Sequence, residues 1–177
     1  MTRIACLLMT TIAIVFAALG AKAISAQDKY TVQVPNGLAF SEFRGYEDWQ
    51  TVAVSKTENT IEVILANPAM IDAYRAGTPG NGKHFPDGSK IAKIHWKAVK
   101  STEAPDPTTV PGTLHDVDFI VRDSKRFPDT GGWGYAQFNY NAASDTFAPE
   151  GTGTNCGYAC HTLVTAKDYI FTAYPKR

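Results

Sequence analysis

Two cysteines and a histidine near the carboxyl end are the residues best suited to chemistry. Cys156 and Cys160 are four positions apart, and His161 directly follows the second cysteine. This order is similar to a c-type haem attachment site, in which two thiols bond to the porphyrin vinyl groups and the next histidine ligates iron. The usual spacing is C-x-x-C-H, so this chain has one extra residue. We expect a bulge at Gly157, because glycine tolerates unusual backbone angles.

Other chemistry is open to the same residues. In an exported protein the two cysteines could form a small disulfide loop, and the histidine behind them would then be coincidental. A structural zinc site requires about four protein ligands, and the other histidines are distant along the chain, which disfavours zinc. A cupredoxin-like copper site needs a methionine nearby, and Met70 is the only methionine after residue 26. Spacing alone leaves haem and disulfide as alternatives.

Residues 1–26 have the pattern of a secretory signal. Arg3 provides a short positive region, residues 4–20 form an apolar run, and small residues follow up to Ala26. The run is shorter than the roughly 20 apolar residues of a membrane-spanning helix, which disfavours an anchor. We predict cleavage after Ala26, export to the periplasm, one domain over residues 27–177, and no membrane attachment of the mature protein.

The charge balance excludes one large class of partners. The chain has 17 Lys and Arg against 17 Asp and Glu, and the basic residues are scattered. Proteins bind the phosphate backbone of nucleic acids through clusters of basic residues, and this chain has no such cluster, so nucleic acid is not an expected partner. The 14 glycines and 10 prolines indicate many turns between the apolar segments that would form a core.

The elements that must position the cysteine motif are mostly predicted strands. Alternation and β-branched residues predict seven strands, the first of them short, over residues 30–34, 49–55, 59–66, 90–97, 117–122, 135–140 and 169–174. Helical spacing predicts two helices, over residues 38–49 and 69–76, and the proline-containing segment 101–112 is predicted to be a loop. A parallel sheet would need many more helices. We therefore predict the α+β class, a mainly antiparallel sheet with a few short helices packed on it.

Several short blocks follow one another in an order that is characteristic of one family. They include Phe-Pro-Asp-Gly-Ser and Gly-Gly-Trp-Gly-Tyr, and they lie at residues 46–49, 85–93, 117–124, 129–135, 160–161 and 167–172. Together they are spread over most of the predicted mature chain. On these blocks the sequence resembles the cytochrome P-460 family of haem proteins, which has cytochrome c′-beta as a second branch.

The resemblance implies both a cofactor and the residues that hold it. It implies an antiparallel β fold that dimerises and binds a c-type haem near the carboxyl end, with one axial position open. By resemblance Cys156 and Cys160 attach the haem, His161 ligates the iron, and Lys93 bonds to the porphyrin edge. Period-two alternation independently places Lys93 opposite the apolar face of its strand, where it could point at a macrocycle packed on the sheet.

The resemblance also implies a function. Enzymes of the family oxidise hydroxylamine, so we expect a periplasmic haem oxidoreductase with a soluble cytochrome as redox partner. One alternative is a non-enzymatic protein that binds nitric oxide or carries electrons, like cytochrome c′-beta. A second is a cofactor-free exported domain with a Cys156–Cys160 disulfide. Hydroxylamine oxidation needs a base, and the sequence leaves it open among several carboxylates in or next to the matching blocks, namely Glu47, Asp48, Asp116, Asp118 and Asp123.

Overall fold

The architecture is that of an antiparallel sheet with helices beside it. A computed structural model describes residues 26–35, 37–150 and 153–177, so the predicted signal lies outside the described residues apart from Ala26. Six strands each pair with the next along the chain, and they are β1 Gln50–Lys56, β2 Thr60–Ala66, β3 Lys90–Lys100, β4 Thr109–Arg122, β5 Trp133–Asn141 and β6 Thr146–Pro149. The helices are α1 Pro68–Arg75 and α2 Gly153–His161. The predicted α+β class is confirmed. No helix in these three ranges has the length and hydropathy to cross a membrane.

The sheet buries apolar side chains on both faces. Residues on alternate positions of a strand point to opposite sides. On the first face, Ala92 of β3 packs under the N-terminal segment, where the rings of Phe43 and Phe119 stack with centroids 4.1 Å apart. On the second face, Ile91 of β3 packs with Met70 of α1 and with other core residues. Both sides of the sheet are therefore covered.

β1, β2 and α1 match the strands predicted over residues 49–55 and 59–66 and the helix predicted over residues 69–76. β1 and β2 pair in an antiparallel arrangement, with Ser55 opposite Glu62. The side chain of Asn67 accepts a hydrogen bond from the Met70 N–H at 3.2 Å and caps α1. The helix ends before Gly77, whose φ of +92° is left-handed. Local capping and turn chemistry are sufficient to define these elements.

The segment predicted as one helix over residues 38–49 is instead broken. Two 3-10 turns, Phe40–Phe43 and Tyr46–Asp48, are separated by Gly45 at φ +75°. A left-handed residue cannot continue a right-handed helix, so the helical prediction was wrong. The apolar spacing still identified buried side chains, because the aromatic residues of both turns pack into the core.

Three strand predictions need correction. Residues 30–34 form part of a 3-10 turn and a single bridge at Gln33. β4 begins at Thr109, inside the predicted loop 101–112. Its first half is a sheet edge, because β5 pairs with β4 only from Asp116 onward. Pro111 lies in this half. Proline has no N–H to donate, and an edge strand tolerates it because one side of the strand needs no donor.

The last predicted strand, residues 169–174, lies outside the sheet. Ile170 is buried, the ring of Tyr174 stacks on Tyr74 with centroids 5.6 Å apart, and the Tyr74 hydroxyl donates to the Thr172 carbonyl at 2.9 Å. The apolar alternation of this segment therefore reflects packing against α1. β6 and α2 were not predicted.

Candidate functional site

A cavity of about 590 Å³ lies between α2, the second face of the sheet and residues 169–174, which we call the C-terminal segment. Lys93, Cys156, Cys160 and His161 all line it. Ligand pockets commonly have volumes of about 300–1,000 Å³. The four residues selected from the sequence therefore meet at one cavity large enough for a substantial ligand.

The two cysteines lie on α2, one turn apart. Both are free thiols with exposed side chains. Residues i and i+4 lie on the same face of a helix, as residues i and i+3 do. The extra residue between Cys156 and Cys160 therefore leaves both sulfur atoms on one side of α2. It needs no distortion of the backbone.

The prediction of a bulge at Gly157 was wrong, and the glycine has a different structural role. The segment from Cys156 to Cys160 is continuous α-helix. A Cβ atom on Gly157 would lie 2.5 Å from the Cβ atom of Tyr135 on β5. The missing side chain therefore allows α2 to pack directly on the strand.

The imidazole of His161 is oriented by the backbone. Its Nδ1 lies 2.5 Å from the carbonyl oxygen of Tyr169, and the rings of Tyr135 and Phe171 have centroids 4.8 Å and 5.0 Å from it. Donation from Nδ1 leaves the lone pair on Nε2, which is the form that ligates metals. Burial lowers the pKa of His161, and the positive charge of Lys93 lowers it further. The hydrogen bond to the Tyr169 carbonyl raises the pKa, but the lowering effects outweigh it.

A buried ion pair anchors the turn that carries Tyr169. Asp168 is 3% exposed, and its carboxylate accepts from Nη1 of Arg122 at 3.1 Å and from the backbone N–H of Phe85 at 2.7 Å. Asp168 and Tyr169 both have left-handed backbone angles, at φ +52° and +63°. The ion pair therefore fixes the unusual turn whose carbonyl meets the imidazole.

The amine of Lys93 is held by a carboxylate that the sequence analysis missed. Nζ of Lys93 lies 2.9 Å from Oε2 of Glu62, which also accepts from the Ser55 hydroxyl at 2.5 Å. Burial raises the pKa of Glu62, but the hydrogen bonds from Ser55 and Lys93 outweigh it and lower the pKa to about 2. Glu62 was detectable in principle. It shares a strand face with Ile64, which pairs with Lys93.

Asp118 is the predicted candidate base that lines the cavity. It is directly opposite Lys93 in the pairing of β3 with β4. Burial raises the pKa of Asp118 to about 6, although the charges of His95 and Lys93 oppose this effect. Asp116 lies two residues away and bonds to two histidines. The remaining candidates, Glu47, Asp48 and Asp123, do not line the cavity.

The cavity brings together an imidazole and two thiols, which are groups that can hold a metal or a metal-containing cofactor. The family model for Cytochrome P460 matches residues 43–172, more than half of the chain. The chain therefore belongs to the cytochrome P460 family, as its sequence blocks indicated. No curated protein matches the sequence.

Membership of this family implies haem binding, and the cavity can be tested against that cofactor. The residues fit it in three respects. Isoleucine side chains from three strands, Ile64, Ile91 and Ile120, provide apolar walls for a macrocycle. His161 retains a lone pair on Nε2, and α2 presents both thiols on one side.

Proposed function

We propose that the protein is a periplasmic c-type haem oxidoreductase that oxidises hydroxylamine. The observation that carries the proposal is the convergence of Lys93, Cys156, Cys160 and His161 on one cavity. Export is supported by the signal pattern of residues 1–26. A soluble cytochrome as electron acceptor and a homodimeric state are further parts of the proposal, and they rest on the family resemblance.

Four residues would hold the cofactor. Cys156 and Cys160 would form thioethers, Nε2 of His161 would ligate the iron, and the amine of Lys93 would bond to the porphyrin edge. When bound, the haem would supply a redox-active iron that can bind a small molecule. Met70, another residue type that can ligate haem iron, is fully buried in the core and is not among the described residues that line the cavity.

The protein's own groups prepare these bonds. The Tyr169 carbonyl fixes the tautomer and orientation of His161, as hydrogen-bond partners of metal-bound histidines generally do. The Glu62 carboxylate orients the amine of Lys93 through an ion pair with a distance of 2.9 Å between Oε2 and Nζ. Lys93 is therefore positioned for a covalent attachment.

Asp118 is the group that we assign as the proton acceptor. It lines the cavity beside Lys93. Because burial raises its pKa to about 6, the carboxylate is ionised at neutral pH and close to the value that suits a general base. Gln137 and Glu150 also line the cavity. This polar wall favours turnover of hydroxylamine over the reversible gas binding expected of an aromatic-capped pocket.

The test uses purified protein matured in a host that assembles c-type cytochromes. We expect a coloured protein that transfers electrons from hydroxylamine to an added acceptor. Absence of turnover together with tight nitric oxide binding would instead support a gas-binding protein. A colourless protein with a Cys156–Cys160 disulfide would overturn haem binding altogether.

The lysine bond has its own test. Lys93→Arg keeps the positive charge but cannot form the same linkage to the porphyrin. We expect the optical spectrum of the variant to change, and we expect the peptide that contains residue 93 to separate from the haem peptide after digestion. Lys97→Arg, four residues along the same strand, is the control. Release of the wild-type Lys93 peptide without haem would contradict the linkage.

A further inference from the structure

Four titratable residues form a row that leads from the cavity toward solvent. The row begins at Asp118, which lines the cavity, and passes through His95 on β3 and Asp116 on β4. It ends at His115, whose side chain is 51% exposed. None of these four residues is required to attach the cofactor.

The outer part of the row is continuously bonded. Nδ1 of His95 bonds to Oδ1 of Asp116, which is directly opposite it in the pairing of β3 with β4. Nδ1 of His115 bonds to Oδ2 of the same carboxylate. Asp116 is 3% exposed, so this buried carboxylate connects the half-buried imidazole of His95 to the exposed one of His115.

The inner part of the row has one gap. Nε2 of His95 lies 3.8 Å from Oδ2 of Asp118. Nε2 of His95 and Oδ1 of Asp118 are both buried and without a hydrogen-bond partner among the described residues. Unpaired buried polar atoms are costly. A movement of Asp118 by about 1 Å would close the gap to hydrogen-bonding distance.

The charges around the gap favour proton exchange. Glu62, Lys93, His95 and Asp116 face Asp118, and burial dominates and raises its pKa to about 6. Burial lowers the pKa of His95, but Asp116 and Asp118 outweigh it and raise the pKa above its ordinary value. A carboxyl group with a raised pKa that faces an imidazole can exchange a proton with it in either direction.

A metal ion is the competing occupant for this cluster. Ligand atoms of His95, Asp116 and Asp118 lie within 4.8 Å of one another. However, both oxygens of Asp116 already bond to imidazoles. One nitrogen and one carboxylate are then left, fewer than the three or more protein ligands that zinc sites use.

We propose that Asp118, His95, Asp116 and His115 form a proton relay between the cavity and solvent. The inference rests on the proposed function, because oxidation of hydroxylamine releases protons inside the cavity. One proton enters at Asp118 and passes to Nε2 of His95, while the Nδ1 proton of His95 passes to Asp116. Asp116 passes a proton to His115, which releases it to water. One proton enters, one leaves, and no electrons move.

The first test uses turnover of the haem-loaded protein in dilute buffer. His95→Gln keeps a polar side chain but cannot carry a proton, and we expect hydroxylamine oxidation to fall about 100-fold, the contribution of a positioned acid–base group. Added phosphate buffer, a proton carrier that ligates haem iron only weakly, should restore much of the rate, which a merely structural defect would not allow. His115→Gln should show a smaller loss with the same rescue.

The matched control is His84→Gln. His84 is also an exposed histidine whose Nδ1 bonds to a carboxylate, that of Asp168, and it lies outside the row. Asp168 keeps its bonds to Arg122 and Phe85 in this variant. We expect its turnover to match the wild type at every buffer concentration. Equal turnover of His95→Gln and His84→Gln would overturn the relay, and so would a loss in His95→Gln that added phosphate buffer does not restore.

The second test does not depend on turnover. Infrared titration follows the carboxylic-acid band of Asp118, identified by its loss in Asp118→Asn. We expect a midpoint near pH 6 in the wild type and a higher midpoint in His95→Gln, because the imidazolium charge no longer favours the carboxylate. A shifted midpoint without hydroxylamine turnover would support the coupling and overturn the proposed function. Normal turnover in every variant with an unmoved midpoint would overturn the relay alone.

Discussion

Nδ1 of His161 and the carbonyl oxygen of Tyr169 lie 2.5 Å apart. The backbone that follows α2 therefore fixes the imidazole ring of the last residue of this helix. The ring of Tyr169 occupies the space where a side chain on Gly131 would be, with Cε2 at 2.3 Å from the position of such a Cβ. Asp168 anchors the same turn. The orientation of the proposed iron ligand therefore depends on packing between the C-terminal segment and the β4–β5 connection.

The Asp168→Ala variant tests this anchor. Removal of one partner of a buried ion pair leaves the other charge uncompensated and typically costs about 3–5 kcal/mol. We expect a loss of this size in the free energy of unfolding, measured with urea, and a change in the optical spectrum of the haem. Asp72→Asn is the control, because its pair with Arg75 is exposed. Equal stability of the two variants would contradict the assigned role.

Gly157→Ala tests the close packing of α2. The added methyl group would lie 2.5 Å from the Cβ of Tyr135, so helix or strand must move. We expect a destabilisation of about 1–3 kcal/mol and weaker haem incorporation, although alanine favours helix formation. Asn155→Ala, at an exposed position of the same helix, is the control. A more stable Gly157→Ala protein would show that α2 does not depend on this contact.

The contrast between β3 and α2 shows how far sequence reasoning reached. The face that carries Lys93 followed from alternation, because neighbouring residues of a strand point to opposite faces and Lys93 lies between Ala92 and Ile94. The α2 segment has glycine at positions 153 and 157 and no apolar stripe. Its helix is supported by contact with Tyr135, which is distant in sequence, and local propensity is overridden by such contacts.

The partners of Lys93 show a second limit. Glu62 and Asp118 reach this lysine through the registers of two strand pairs. Registers depend on bulges and turns that were not predictable here, such as the shift after His95. The strand predicted over residues 169–174 was wrong for a related reason. Alternation cannot distinguish a strand from an extended chain that packs on a helix.

The carboxylate of Glu62 should make stability depend on pH. Burial raises its pKa, and hydrogen bonds from Ser55 and Lys93 outweigh it and lower the pKa to about 2. A carboxylate with a lowered pKa in the folded state stabilises fully above its unfolded pKa, and this contribution is lost as the pH falls toward 2. Between about pH 6 and about pH 3 we expect the wild type to lose about 2 kcal/mol more than Glu62→Gln.

Urea denaturation at both pH values measures this difference. Glu103→Gln, at an exposed loop position, is the control and should follow the wild type. Parallel losses of stability in the wild type and Glu62→Gln would show that the ion pair with Lys93 does not stabilise the fold.

Asp118 should control the pH dependence of hydroxylamine oxidation. Its pKa is raised to about 6 by burial, and only the ionised form accepts a proton. The value of kcat, which does not report the ionisation of free hydroxylamine, should therefore rise through about pH 6, and Asp118→Asn should lose this limb and about 100-fold in rate. Asp106→Asn, in the loop between β3 and β4, should retain both. An unchanged limb in Asp118→Asn would assign the base to another group.

Mass spectrometry of the peptide that contains Cys156–His161 tests the central claim most directly. The protein should be matured in a host that assembles c-type cytochromes and then digested under denaturing conditions. We predict one haem on this peptide, with both thiols resistant to alkylation because they are thioethers. A haem-free peptide with alkylated or disulfide-bonded cysteines would contradict the account.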